Sequence, residues 1–360
     1  MEKSSRVWDD LSVEAQLATF KAEGGMSAVH AMLHVDPCDD LFEGQFQRIY
    51  TALTRLQTEF PDIPMQFCRI FVSDSTNQEP VFQNYSFNVP VSFIQQPPLD
   101  GSKVAVWAYF FHTPETCYEH IWEMGLTSSG TSSDSYSQTS RLLEDYEQRL
   151  SQCGATIASN CVRTWFFVRD VDTNYKGLVD ARRENFIKEN LTSDTHYIAS
   201  TGIGGLPADT SALVQLDTYT VLGLNSHQQR YLYAKTHLNS TYEYGVTFER
   251  GTAVDYDDYT EIFISGTASI DNKGEVLHPG NIVLQTERML ENVSELLKEG
   301  GAGMDDVMQC IVYLRDVADY RTVSNIFHAR FPHLPLVITN APVCRPAWLI
   351  EMECIAIKEK

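Results

Sequence analysis

The sequence predicts an α+β fold built from three tandem copies of one unit, each a mixed sheet with helices on one face. Three observations lead there: an internal match without gaps, a helical apolar stripe that recurs three times, and a β-rich run after each stripe. In the match, Gln138, Thr139, Arg141, Leu143, Glu144, Leu150, Gly154 and Ala155 recur as Gln285, Thr286, Arg288, Leu290, Glu291, Leu297, Gly301 and Ala302, each pair 147 apart (285 − 138). Both copies then enter apolar runs with a common ending, "RTWFFVRDV" from Arg163 and "CIVYLRDV" from Cys310. A third copy, matching in pattern more than identity, lies upstream in "FQRIYTALTRLQTEF" and "MQFCRIFVSD".

The elements of the unit follow in order. "EIFISGTASI" and "EHIWEMGLTSSG" read as strands entering a polar turn. The helix comes next: Leu290, Val293 and Leu297 repeat at helical spacing, as do Leu143, Tyr146 and Leu150, and Phe46, Ile49, Tyr50 and Leu53. Each set gives one core-facing stripe. Gly154 and Gly301 stop two of the helices. A strand rich in β-branched and aromatic residues follows, then a second helix in "YKGLVDARRENF" and "YRTVSNIFHARF", then a last strand. The expected division is residues 1–115, 116–245 and 246–360.

Bulk properties narrow the function. The formal charge of −21 repels a phosphate backbone, which argues against nucleic acid as a partner. No apolar run has the roughly 18 residues of a membrane span, and the start lacks a signal-peptide core, so the expected location is the cytoplasm. Eight cysteines without a CxxC pair, and histidines without ligand spacing, predict reduced thiols and no metal or other cofactor.

The last unit, from "IFISGTASIDNKGEVLHPGN" through "CIVYLRDVADY" to "LIEMECIAI", resembles the YjgF/RidA (L-PSP, reactive-intermediate deaminase) superfamily over residues from about 255 to 360. That resemblance implies chorismate-mutase-like units, usually one per chain in homotrimers with clefts between subunits. Three linked copies then imply a pseudo-trimer within one chain, a monomer or weak homodimer. Four stretches are similar to the chorismatases of the same superfamily: "RTWFFVRDVDTNYKGLVDARRENF", "YIASTGIGG", "YEYGVTFERG" and "VCRPAWLIE". Two departures bear on substrate: Phe166-Phe167 stands where those enzymes usually carry Asn-Tyr, and Val246-Thr247-Phe248 follows Tyr244-Gly245 without a Pro-Arg insertion.

The resemblance implies roles. Glu351 matches the catalytic glutamate, which would release pyruvate from chorismate or a related enol-ether acid, and Cys344 matches the branch that yields 3-hydroxybenzoate. Arg163, Arg250 and Arg345 are the candidate holders of a small carboxylic acid substrate, with Tyr244, Gly202 and Gly266 beside them. Two alternatives stand: a non-catalytic pseudo-trimer that binds a small carboxylate, and a RidA-type imine or enamine deaminase. The deaminases hold carboxylate with an arginine on the strand of "LPLVITNAP", where this sequence has Ile338. An endoribonuclease label also travels with the family, against the acidic charge.

Read on residues alone, Glu351 fits an edge position as well as a buried one, Cys344 fits a small core residue, and Arg163 fits a sheet-edge cap. Gly202, Gly204 and Gly205 read as a tight turn in a cleft wall. Positions seven apart in an unbroken strand face opposite ways, so Cys344 and Glu351 share a pocket only if Pro346 interrupts the strand between them.

Overall fold

A computed structural model of the chain describes residues 1–37, 40–128, 130 and 133–360, with the backbone alone at residue 244. The first sheet has six strands: β1 (Glu2–Trp8), β2 (Val13–Lys21), β3 (Ser27–Val35), β4 (Met65–Val72), β5 (Val91–Gln95) and β6 (Val104–His112), in the order β1-β2-β3-β6-β4-β5. Helices α1 (Phe42–Glu59) and α2 (Ser75–Phe82) connect them. The second sheet, β7 (Glu119–Thr127), β8 (Cys161–Val168), β9 (Ala199–Gly204) and β10 (Val214–Leu222), runs β7-β10-β8-β9. Its helices are α3 (Ser135–Gln152), the short α4 (Ile157–Asn160) and α5 (Val171–Lys188).

The third sheet comprises β11 (Gln229–Leu232), β12 (Gly251–Asp255), β13 (Tyr259–Ala268), β14 (Val307–Leu314), β15 (Leu336–Asn340) and β16 (Ile350–Glu359), with α6 (Ile282–Gly300) and α7 (Tyr320–Arg330). Its order, β11-β12-β13-β16-β14-β15, repeats that of the first sheet. Because β11 pairs with β12, the third sheet begins at Gln229, ahead of the division expected between residues 245 and 246. Among the described residues no helix is long and apolar enough to cross a membrane.

Local chemistry explains the helices. The Asn281 side chain accepts the Leu284 N–H at the start of α6, and Gly301, at φ 91°, ends it in the left-handed conformation that glycine adopts without strain. Between these caps Met289, Val293, Leu296 and Leu297 are buried, each burial stabilising by roughly 1.5–3 kcal/mol. Helices cover one face of each sheet, and the other faces meet around Trp107, Trp165 and Tyr219, drawn from the first and second sheets, and Phe263 of the third.

The seams between units determine where a site can form. In each sheet the last parallel strand is an edge, and an uncovered edge presents free N–H and C=O groups. The following unit covers each one. Gln95 of β5 exchanges hydrogen bonds with Leu206, at 3.0 and 3.2 Å; Gly204 of β9 donates to the Pro342 carbonyl at 2.9 Å; and Asn340 of β15 donates to the Pro97 carbonyl at 2.8 Å. The three sheets thus close head to tail as a pseudo-trimer.

Candidate functional site

The seam between the second and third units opens into a cleft of about 420 Å³, within the usual range of about 300–1,000 Å³ for small-molecule pockets. One wall comes from α5 and β9, through Tyr175, Arg182, Ser200 and Gly202. The other comes from Phe248 and Arg250 ahead of β12, from Gly266 of β13, and from Cys344, Arg345 and Glu351.

Glu351 lies near the start of β16, between Ala268 of β13 and Tyr313 of β14, and is only 4% exposed. Burial, then the charge of Glu353, pushes its carboxyl up to about 8, and Arg250 and Arg163 pull against that rise. Its position depends on a bulge. The pairing of β13 with β16 shifts register between Ile264 and Thr267, which carries Gly266 out of step and over the carboxyl. A Cβ on Gly266 would stand 2.1 Å from Oε1 of Glu351, so only glycine leaves room for the acid as it sits.

Cys344 and Glu351 line the same cavity. Between them the chain leaves the sheet and turns at Arg345, whose carbonyl accepts the Trp348 N–H at 3.0 Å, before β16 begins at Ile350. The strand alternation restarts there. Burial pushes the Cys344 thiol up to about 12, with the Glu351 charge adding to the rise and a hydrogen bond to Tyr175 opposing it. The sulfur is therefore a neutral thiol at physiological pH, not a thiolate nucleophile.

Three guanidinium groups converge on the cleft from separate elements. Arg250 bonds Asn239 through its carbonyl and Oδ1 at 3.2 to 3.4 Å and lies 5.5 Å from the Phe248 ring. Arg345 lies 5.1 Å over the Trp348 ring. Arg182, 1% exposed, donates to Thr247 Oγ1 and Ser200 Oγ, each at 3.3 Å, between the rings of Phe166 and Phe248.

Arg163 does not line the cleft, contrary to its expected role. It is buried beneath it, donating to Glu353 Oε2 at 2.8 Å and to Thr201 Oγ1 at 2.5 Å. Glu353 also accepts from Trp165 Nε1 at 2.7 Å, and Arg69 reaches both Glu353, at 3.8 Å, and Asp217, at 2.8 Å. Two cations and two anions from three sheets thus balance at the centre of the pseudo-trimer. Thr201 joins this network to the site, because its Oγ1 bonds Glu353 and also accepts the Gly266 N–H at 2.9 Å.

The glycines differ from expectation too. Gly202 and Gly204 lie within strand β9, not in a turn, and close approach explains them: a Cβ would come within 2.9 Å of the Tyr175 ring at Gly202 and within 2.7 Å of Pro342 at Gly204. Tyr244 ends the short 3-10 turn Thr241–Tyr244, and its side chain lies outside what is described. Sequence reasoning missed Arg182 and Tyr175. Their spacing on α5 with Val179, at i, i+4 and i+7, marks one helix face and could have found them.

No unit supplies the deaminase-type arginine. Ile338 pairs with Val312 on β14, and the corresponding pairs are Gly202 with Phe166 on β8 and Phe93 with Ile70 on β4. Isoleucine, glycine and phenylalanine occupy the three equivalent places.

Comparison with known proteins accords with this architecture. Residues 252–358 match the family model described as Endoribonuclease L-PSP. A RutC family protein of Pyrococcus abyssi is 35% identical over 100 residues, which are 27% of this chain and 79% of that protein. This chain belongs to the RutC family. The 3-aminoacrylate deaminase RutC of Acinetobacter baylyi is 31% identical over 97 residues, 26% of this chain and 77% of the relative. Sequence kinship to the RutC proteins is thus carried by the third unit, while the fold likeness runs further. A crystal structure of a chorismatase covers 81% of this chain and 92% of its own, with a TM-score of 0.64 at 18% identity. The RutC-family unit is therefore the last part of a chorismatase-like arrangement of three.

Proposed function

We propose that this protein hydrolyses chorismate or a related enol-ether carboxylic acid, with Glu351 as general acid. The observation that carries the reading is the Glu351 carboxyl, buried in a cleft with three arginines and raised to about 8. At neutral pH such a group holds its proton, and a carboxylic acid near the working pH is suited to protonate carbon. The arginines supply the local positive field that an acidic substrate needs against a chain of net charge −21.

The reaction begins when Glu351 gives its proton to the terminal methylene of the enolpyruvyl group, and the ether oxygen stabilises the cation formed on the adjacent carbon. Water adds to that carbon and returns a proton to the Glu351 carboxylate. The hemiketal then collapses: its C–O bond to the ring breaks at the pyruvyl side, the hydroxyl proton passes to the departing alcohol, and pyruvate is released. Cys344, as a neutral thiol, contributes shape and a weak donor beside the acid, the position from which it would influence the product formed.

An imine or enamine deaminase reading has less support, since none of the three equivalent strand positions carries arginine. Incubation of purified protein with chorismate, with pyruvate measured by a coupled assay, tests the proposal. Release is expected, with loss of at least about 100-fold in Glu351→Gln, the scale of a missing general acid. Binding of chorismate without pyruvate release, unchanged in Glu351→Gln, would favour the non-catalytic carboxylate binder instead.

A further inference from the structure

The three units place equivalent residues around one axis, and the differences among them single out Thr201. By sheet register Trp107, Asp217 and Glu353 occupy the same position, opposite Arg69, Trp165 and Ile311. Two residues earlier on the same strands stand Ala105, Gln215 and Glu351, so one of the three positions carries an acid. Ser92, Thr201 and Val337 are equivalent in turn, as the partners of Arg69, Trp165 and Ile311 on the parallel strands. Two seams therefore carry a hydroxyl.

They use it differently. Both seams contain a bulge: the pairing of β10 with β7 shifts register between Leu216 and Thr218, as that of β13 with β16 does between Ile264 and Thr267, which makes Gly125 the counterpart of Gly266. Between the first and second units the Gly125 N–H goes straight to Asp217 Oδ1, at 2.7 Å, and Ser92 Oγ accepts from Gln215 Nε2 at 2.9 Å. Between the second and third, the Gly266 N–H goes to Thr201 Oγ1, at 2.9 Å, which also accepts from Arg163 and gives its own proton to Glu353. Those three bonds fill the hydroxyl, one donated and two accepted, and leave it nothing for Glu351. Its methyl group faces the glycine, 3.1 Å from where a Cβ on Gly266 would stand, and among the described residues no donor bonds the Glu351 carboxyl.

We infer that Thr201 is a positioning residue for Glu351: its hydroxyl anchors the bulge that seats the acid and, by holding the Gly266 N–H, keeps that donor off the carboxyl. The role rests on the reading of Glu351 as general acid. A carboxylate that accepts an N–H is stabilised in its charged form and would no longer hold the proton it must give to carbon. Without the hydroxyl, the Gly266 N–H is a part-buried donor in need of an acceptor, and Glu351 Oε1 is the oxygen packed on that glycine, 2.1 Å from the place of its Cβ. The bond from Gly125 to Asp217 shows that this bulge can give its amide to a carboxylate.

The test compares Thr201→Val, which removes the hydroxyl and keeps the shape, with Thr201→Ser, which keeps the hydroxyl. Both are read on the whole chain by carboxyl-detected 13C NMR of Glu351 and by the Gly266 amide proton over the same pH range. In Thr201→Val the Glu351 midpoint is expected to fall by about one pH unit or more, tenfold in acidity, and the Gly266 amide to move downfield as the carboxylate forms. In Thr201→Ser both should stay as in the wild type. The upper limb of the pH–rate profile for pyruvate release should move with the midpoint. A wild-type midpoint in folded Thr201→Val, a Gly266 amide that moves there no more than in the wild type, or a shifted midpoint in Thr201→Ser would overturn the assignment, and the serine variant keeps it refutable if the valine one does not fold. The titrations need no turnover, so an absence of pyruvate release would overturn the proposed reaction while the midpoints still decide the role of Thr201.

Discussion

Gly266→Ala places one methyl group against the acid and tests whether the position of Glu351 matters to turnover. The added Cβ would lie 2.1 Å from Glu351 Oε1, 2.9 Å from its Cδ and 3.1 Å from Thr201 Cγ2. Ordinary contact needs more than 3.4 Å, so the carboxyl must retreat by about 1 Å, the scale at which misplacement of a catalytic group costs about 100-fold. Gly266 is not among the glycines with positive φ, so alanine brings no backbone strain, and the stability cost is that of overpacking alone, about 1–3 kcal/mol. The assay is kcat and KM for pyruvate release, beside a thermal melt, in the single variant and in the Glu351→Gln background. A fall of about 100-fold in kcat that disappears in the double variant is expected. Wild-type kcat in a folded Gly266→Ala protein, or an equal fall in both backgrounds, would refute the reasoning.

Three further outcomes follow from the same groups. Glu351 and Glu261 are each pushed up to about 8, and Glu249 to about 7, by burial. Their folded values lie above the unfolded ones, so the stability they give is fully present below about pH 4.5 and is lost as pH rises to about 8; a tenfold difference in proton affinity between the folded and unfolded chain is worth about 1.4 kcal/mol, and denaturant midpoints should decline from about pH 4.5 to about pH 8 and level off above that. Glu353→Gln leaves Arg163 without its carboxylate and should cost about 3–5 kcal/mol in urea unfolding, while lowering the upper limb of the pH–rate profile because a like charge beside Glu351 is gone. Arg182→Met should raise KM for an acidic substrate by more than about tenfold with a smaller change in kcat, measured by initial rates, if its guanidinium holds a carboxylate.

Much of this fold was legible because each unit repeats one physical pattern. The stripe of Leu290, Val293 and Leu297, with Gly301 after it, identifies α6 by periodicity and capping alone. Glu351, Cys344, Arg250 and Arg345 could be proposed as neighbours because local motifs carried them, and Pro346 signalled the turn between the first two. Arg163 was misplaced for a physical reason: every residue of β8 is buried, so alternation gives no clue to which face meets the cleft and which meets the centre of the pseudo-trimer. The balance of Arg69 and Arg163 against Asp217 and Glu353 was not legible either, since it joins residues up to 284 apart (353 − 69) across three sheets. Arg182 was harder to see because its helix buries polar as well as apolar residues, Asn185 among them, and shows no clean amphipathic stripe, which leaves its spacing from Tyr175 and Val179 as the signal.

The central claim is that Glu351 keeps its proton at neutral pH inside the cleft, and the direct measurement is its own titration. Carboxyl-detected 13C NMR of protein labelled at glutamate, with Glu351→Gln to assign the resonance, reads the midpoint without any assumption about substrate. A midpoint near 8 is expected. A midpoint at the ordinary glutamate value of about 4.3 would mean that Glu351 is ionised at neutral pH and is not the acid of this site.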